Sequence, residues 1–227
     1  MKNNMQPDLR NMISLKTRYY HWIFAMLFIP ALVGSVAAQA IGNTNPSHVE
    51  TIVVIRHGEI PHGGLGQLRC KGLNRALALP KILIGRYGSP NFVFAPNPAV
   101  VMHEGGGVYS YVRPLATIEP TAIQAGLPVN ALIGFNNVQA LQKELTSPRY
   151  SDAVVFVAWE HIMAQRFSEN MMRAFGGNAD QVPAWKGSDY DSIYVLRLTR
   201  SGQKTTISFT HEHENLNHKL SKPCPLS

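Results

Sequence analysis

Thr51-Ile-Val-Val-Ile-Arg-His-Gly-Glu59 begins with five β-branched residues and ends in an arginine, a histidine, a glycine and an acid. An unbroken β-branched run predicts a strand over 51–55 that is buried on both faces, as in a parallel sheet covered by helices. A buried strand requires none of the four residues that follow. They stand at the carboxyl end of the strand, where open α/β sheets place their ligands. A guanidinium can grip an anion in a fork, and an imidazole can attack or move a proton. Gly58 allows a sharp turn or a close approach.

Outward from this stretch the chain alternates apolar runs with segments of helical spacing. A glycine-rich loop, 61–66, follows Glu59 and lacks the Gly-Lys-Ser/Thr ending of a nucleotide-binding P-loop. Residues 73–86 read as a helix that Pro80 should bend or divide. Residues 91–95 are a second apolar run, stopped by Pro96 and Pro98. A polar, glycine-rich insertion spans 100–111. Arg113-Pro114 opens a helix through 124, with Gly126 as its stop, and 127–129 is a very short strand. A short helix is expected over 138–145, a buried strand over 153–158, and a helix over 162–175 closed by Gly176-Gly177. Strands 192–198 and 205–209 join through Ser201-Gly-Gln203 as a hairpin. The polar residues 41–48 read as a linker, and those from 212 onward as a solvated tail. This order implies a three-layer α/β/α sandwich, its central sheet mostly parallel with an antiparallel edge hairpin.

The 227 residues are 45% hydrophobic and 15% charged, a globular composition. Lys2, Arg10, Lys16 and Arg18 precede an apolar run over 22–36 and then Ala38-Gln-Ala40. That is the pattern of a signal peptide over 1–40, leaving 41–227 as an exported domain, periplasmic or secreted. The run is also near the length that spans a bilayer, so membrane attachment is the alternative if the leader is kept. The formal charge of +7 falls to +4 without the leader, which holds four Lys/Arg and one acid. The basic residues are scattered, which argues against nucleic acid and fits a small anionic substrate. Cys70 and Cys224 either pair, as export would permit, or stay free; no C-x-x-C motif occurs.

Three separated elements then combine. Strand one ends in Arg56-His57-Gly58, Arg113 opens the helix after the second strand, and a later buried strand ends in Trp159-Glu160-His161. Arg113-Pro-Leu-Ala-Thr-Ile-Glu-Pro-Thr-Ala122 runs on into Gly126-Leu-Pro-Val129. Gly66-Gln-Leu-Arg-Cys-Lys-Gly-Leu-Asn-Arg-Ala76 links the first motif to the first helix. This ordered set, over roughly residues 51–200, resembles the histidine phosphatase superfamily, the phosphoglycerate-mutase-like group. The resemblance implies a phosphomonoester hydrolase that needs no metal or other cofactor and acts on a phosphorylated small molecule. His57 matches the nucleophile that becomes phosphohistidine. Arg56, Arg113 and His161 match the groups that surround the phosphate. The alternative is a non-catalytic phosphate-binding or sensing domain on the same fold.

The chain departs from the family in its proton donor. Residues 132–139 contain no carboxylate, and Ile162-Met163 follow the second histidine where an acid is common. Glu160 and Glu59 are the nearest candidates, although neighbours on a strand point to opposite faces. His103-Glu104, in the insertion, reads as a solvated loop with a substrate contact as the alternative. His211-Glu-His213 with His218 has metal-like spacing, but no clear fourth ligand accompanies it, and a solvated tail is expected. Trp159 and Trp185 read as core or rim. Cys70, if unpaired, reads as a small buried hydrophobe.

Overall fold

A computed structural model describes residues 47–225; the expected leader lies outside the described residues. In chain order the elements are β1 (Ser47–Arg56), α1 (Cys70–Tyr87), β2 (Phe92–Phe94), β3 (Val101–Glu104), β4 (Gly107–Ser110), α2 (Arg113–Ala125), β5 (Val129–Asn130), α3 (Val138–Leu145), β6 (Val154–Trp159), α4 (His161–Ala174), β7 (Ser192–Ser201) and β8 (Lys204–His213). Among the described residues no helix is long and apolar enough to cross a membrane.

The central sheet runs β5-β2-β6-β1-β7-β8. β5, β2, β6 and β1 are mutually parallel, and β7 and β8 add the antiparallel edge. The period-2 alternation of β1 explains why its run is apolar throughout. Ile52 and Val54 join the core under α3 and α4, with Val155, Val157, Phe167 and Met171. Val53 and Ile55 join the opposite core under α1 and α2, with Leu79, Leu83, Ile118 and Ala122. All four β1 side chains are fully buried, each worth about 1.5–3 kcal/mol against exposure. The expected three-layer α/β/α architecture is present.

Several boundaries differ from the sequence reading. β1 begins at Ser47, so 47 and 48 extend the strand and are not linker. Pro80 does not divide α1, which runs unbroken over 18 residues. Its neighbours Leu79 and Leu83 are buried in the core, and tertiary burial of an amphipathic face outweighs one lost backbone bond. The 100–111 insertion is a hairpin, β3 paired with β4, separate from the central sheet.

The largest correction concerns the tail. β8 continues to His213, and beyond it Glu214 and Leu216 are buried. Asp191 holds this segment by accepting the N–H groups of Asn215 (3.0 Å), Leu216 (2.8 Å) and Asn217 (3.2 Å). Arg75, fully buried on α1, pairs with Glu214, Asp191 and Glu59. Burial pushes the Glu214 carboxyl up to about 8 against the pull of Arg75. Asn74 donates to the carbonyls of Ser221 (2.9 Å) and Pro223 (2.8 Å). The tail ends in a disulfide between Cys224 and Cys70, at the start of α1, with Cα atoms 4.4 Å apart. Cys70 is therefore neither a free thiol nor a simple core residue. His211 and His213 lie on β8, and no group of three or more potential metal ligands is gathered among the described residues.

The bridge closes a loop of 154 residues in sequence separation. Cross-linking so long a segment restricts the unfolded chain, and removing a native bridge costs about 2–5 kcal/mol. Cys224→Ser is expected to lower the urea midpoint by a corresponding amount. An unchanged midpoint would show that the tail is held by its hydrogen bonds alone.

Candidate active site

The parallel register of β1 and β6 sets Arg56 opposite Trp159. The His57 N–H extends that ladder by donating to the Trp159 carbonyl at 3.2 Å. The two strand ends therefore release His57 and Glu160-His161 side by side. Arg56, His57, Arg113, Glu160 and His161 line one cavity of about 380 Å³, with Glu104, Ile60, Met102, Phe135, Ile162 and Met163. Glu160 and His161 share it despite being adjacent, because the chain leaves the strand there. Glu160 is extended and caps α4, and His161 is the first helical residue.

His57 is 2% exposed. Its Nδ1 lies 2.8 Å from the Gly58 carbonyl, which can only accept, so Nδ1 carries the proton and Nε2 keeps its lone pair. Burial, then the charges of Arg113 and Arg56, hold the imidazole well below its ordinary pKa of 6.5. A buried neutral imidazole with a free ring nitrogen is a nucleophile at neutral pH. Tyr111 and Tyr190 flank the ring at 6.0 and 6.1 Å between centroids.

The turn after His57 is fixed by two contacts. The Gly58 N–H donates to Thr117 Oγ1 at 2.9 Å, and Thr117 Oγ1–H donates to the Arg113 carbonyl at 2.7 Å. One buried hydroxyl thus ties the first motif to the turn of α2 that carries Arg113. A side chain on Gly58 would meet the Gly72 carbonyl at 2.8 Å, and one on Gly72 would meet the Glu59 carbonyl at 2.4 Å. Gly58 therefore admits the backbone of α1 rather than a ligand.

Arg56 Nη1 donates to the carbonyls of Gly187 (2.7 Å) and Asp189 (2.9 Å), and its guanidinium lies 4.0 Å over the Tyr190 ring. The Asp189 side chain braces that loop by accepting the N–H groups of Asp191 and Ser192. Arg113 makes a two-pronged ion pair with Glu104 and lies 4.7 Å over the Tyr111 ring. The Nε atoms of Arg56 and Arg113 are buried without hydrogen-bond partners. Buried N–H donors left without acceptors are costly, and an anion relieves them.

The two sequence candidates for proton donor are otherwise engaged. Glu59 does not line the cavity. Its carboxylate takes Arg75 Nε and Nη2 at 3.0 Å each and Lys71 at 3.1 Å. Burial would raise it, but the Arg75 pair prevails and holds it at about 2. Glu160 does line the cavity. Its Oε2 accepts the Met163 N–H at 2.9 Å, and its Oε1 lies 2.5 Å from His161 Nδ1. Burial raises its pKa, but His161 and the helix N–H groups outweigh it and keep the carboxyl low. Trp159 and Trp185 are both core residues; Trp159 Nε1 also donates to the Phe135 carbonyl at 2.8 Å, which fixes one wall of the cavity.

Sequence reasoning missed Thr117, Tyr111 and Tyr190, and favoured a solvated loop over a substrate contact for Glu104. The position of Thr117, four residues after Arg113 and so one helical turn on, was the available signal. For Glu104 the surrounding composition outweighed the substrate-contact alternative, because glycine-rich polar stretches read as solvated loops.

No protein-family model and no curated protein sequence matches the chain. Solved structures do. SixA from Nakamurella multipartita, a candidate phosphohistidine phosphatase, superposes with a TM-score of 0.50 at 14% identity, over 73% of this chain and 96% of that one. A mycobacterial glucosyl-3-phosphoglycerate phosphatase solved with inorganic phosphate gives 0.47 at 15% identity, over 71% and 95%. A phosphoserine phosphatase of Entamoeba histolytica gives 0.44 at 9% identity, over 75% and 99%. At such identity the likeness to SixA is one of fold, and it agrees with the layer order described above.

Thr117→Val leaves the Gly58 N–H buried without an acceptor, a loss of about 1–3 kcal/mol. Thermal unfolding should show that loss, and calorimetry should show weaker binding of inorganic phosphate because Gly58 and Arg113 are no longer joined. Wild-type phosphate affinity in this variant would show that the hydroxyl is structural only.

Proposed function

We propose that this chain is a histidine phosphatase: a phosphomonoester hydrolase that works through a phosphohistidine on His57. The single observation that carries the reading is the state of His57. It is a neutral imidazole with its Nδ1 proton committed to a carbonyl and Nε2 free, between two buried arginines in one cavity. The fold shared with SixA agrees with it.

Phosphoryl transfer requires in-line positioning and stabilisation of charge on the equatorial oxygens. Arg113 brings a planar fork that Glu104 holds in the free protein, Arg56 an unpartnered Nε–H, and His161 a ring beside the Glu160 carboxylate. Nε2 of His57 attacks phosphorus, and the bond to the leaving oxygen breaks. Water then attacks the phosphohistidine and returns the ring to its neutral state. Two guanidinium groups perform the charge stabilisation that a metal performs elsewhere. The walls beside the phosphate position are Ile60, Met102, Phe135, Ile162 and Met163. They suit an apolar leaving group better than a second phosphate. The Cys70–Cys224 bridge is consistent with an exported protein.

The test is hydrolysis of para-nitrophenyl phosphate by residues 41–227. His57→Ala should lose at least about 10³-fold in kcat, as for other nucleophile deletions, while chelator leaves the wild-type rate intact. A His57→Ala variant with full activity overturns the assignment. Phosphate binding without turnover of a broad phosphoester panel supports a sensing domain instead.

A further inference from the structure

Hydrolysis of an unactivated phosphomonoester needs a proton for the leaving oxygen and a base for the attacking water. Three carboxylates lie in or beside the site, and their partners separate them. Glu59 faces away, locked by Arg75 and Lys71. Glu160 caps α4 and aligns His161. Glu104 is different. Its carboxylate lines the cavity and is held by the Arg113 Nη1 and Nη2 fork and by the Gly66 N–H at 3.2 Å. A guanidinium fork with a backbone N–H is a set of donors that phosphate oxygens also take.

The surroundings of Glu104 are built for it. A side chain on Gly64 would come within 2.2 Å of Glu104 Oε2, and one on Gly105 within 2.6 Å of the Gly63 carbonyl. Both glycines have positive φ, at 77° and 53°. Two glycine-rich turns therefore pack backbone to backbone, and the carboxylate sits between them. The hairpin that carries Glu104 is a separate two-stranded sheet, with Val101 and Val108 exposed.

We propose that Glu104 is the proton donor and acceptor of this site, displaced from Arg113 by the substrate phosphate and left facing the leaving oxygen. The inference rests on the phosphatase reading above. In the free protein Arg113 holds Glu104 below the usual carboxylate range. A phosphoryl dianion takes the fork, and Glu104, left partly buried beside like charge, takes up a proton from solvent, which both conditions favour. As Nε2 of His57 bonds to phosphorus, the electron pair of the P–O bond passes to the leaving oxygen. That oxygen takes the Glu104 proton and departs as the alcohol. The Glu104 carboxylate then accepts a proton from water, whose oxygen bonds to phosphorus while the P–N pair returns to His57. Phosphate leaves, and Glu104 holds the proton for the next cycle or returns ionised to Arg113.

The experiment compares wild type, Glu104→Gln, Glu104→Asp and His57→Ala on two substrates, with calorimetry of inorganic phosphate. Para-nitrophenyl phosphate has a leaving group that needs little protonation, and β-glycerophosphate has one that needs much. Glu104→Gln should lose about 10²–10⁴-fold in kcat/KM on β-glycerophosphate. Its loss on para-nitrophenyl phosphate should be at least about tenfold smaller, since an acid matters least where the leaving group is already good. It should bind phosphate at least as tightly as wild type, and Glu104→Asp should recover part of the β-glycerophosphate rate.

Equal losses on both substrates with weaker phosphate binding would make Glu104 an orienting partner of Arg113 and overturn the proposal. Faster turnover of both would make it a plug only, and also overturn it. If His57→Ala keeps the wild-type rate, or wild type hydrolyses neither substrate, the phosphohistidine reading itself fails. If His57→Ala is inactive and Glu104→Gln shows no leaving-group dependence, only the role of Glu104 fails.

Discussion

The parallel pairing of β1 with β6 is the constraint on which the rest of the site depends. A shift of one residue along that ladder would turn Ile52 and Val54 onto the α1/α2 face and Val53 and Ile55 onto the other. Backbone bonds at both ends of the ladder hold the register, Thr51 N–H to the Ala153 carbonyl at 2.8 Å and His57 N–H to the Trp159 carbonyl at 3.2 Å. Once fixed, it sets Arg56 beside Trp159 and brings His57 and His161 to the same edge. Arg113 comes from a different element, and Thr117 ties it to the strand end through Gly58. A rigid core thus supplies Arg56, His57, Glu160 and His161 to the cavity, and a single hydroxyl positions Arg113.

The electrostatics of the cavity follow from that placement. Burial first, and then the two buried guanidinium groups nearby, keep His57 neutral. The same charges need a counter-anion. Glu104 neutralises Arg113, whereas Arg56 is met by carbonyls and the face of Tyr190. A second and separate charge cluster, around Arg75, fastens the back of the motif. It engages Glu59, Asp191 and Glu214 and so joins α1, the start of β7 and the tail into one block. The disulfide closes that block at Cys70.

Much of this was legible in the sequence, for definite reasons. The β-branched run over 51–55 and the apolar run over 153–158 read as strands covered on both faces, and Gly126, in the left-handed conformation, ends α2 as its type predicts. Arg56, His57, Arg113 and His161 stood at element ends, where side chains free of core packing carry chemistry. The tail was not legible. Its polar composition hides the fact that Glu214 has a buried arginine partner 139 residues earlier. Glu160 was misjudged because strand alternation was extended one residue too far, into a helix cap. Glu104 was discounted because a hairpin of glycines and polar residues has the composition of a solvated loop. Long-range partners and chain turns are tertiary facts, and neither composition nor periodicity encodes them.

If His57 is the nucleophile proposed above, its Nε2 becomes covalently phosphorylated during turnover. Rapid mixing with para-nitrophenyl phosphate, followed by alkaline quench and peptide mass spectrometry, tests it directly. One transient phosphoryl group, acid-labile, is expected on the peptide that contains His57, formed within a single turnover. A phosphoryl group on another residue, or steady turnover with no phosphoenzyme at any time point, would contradict it.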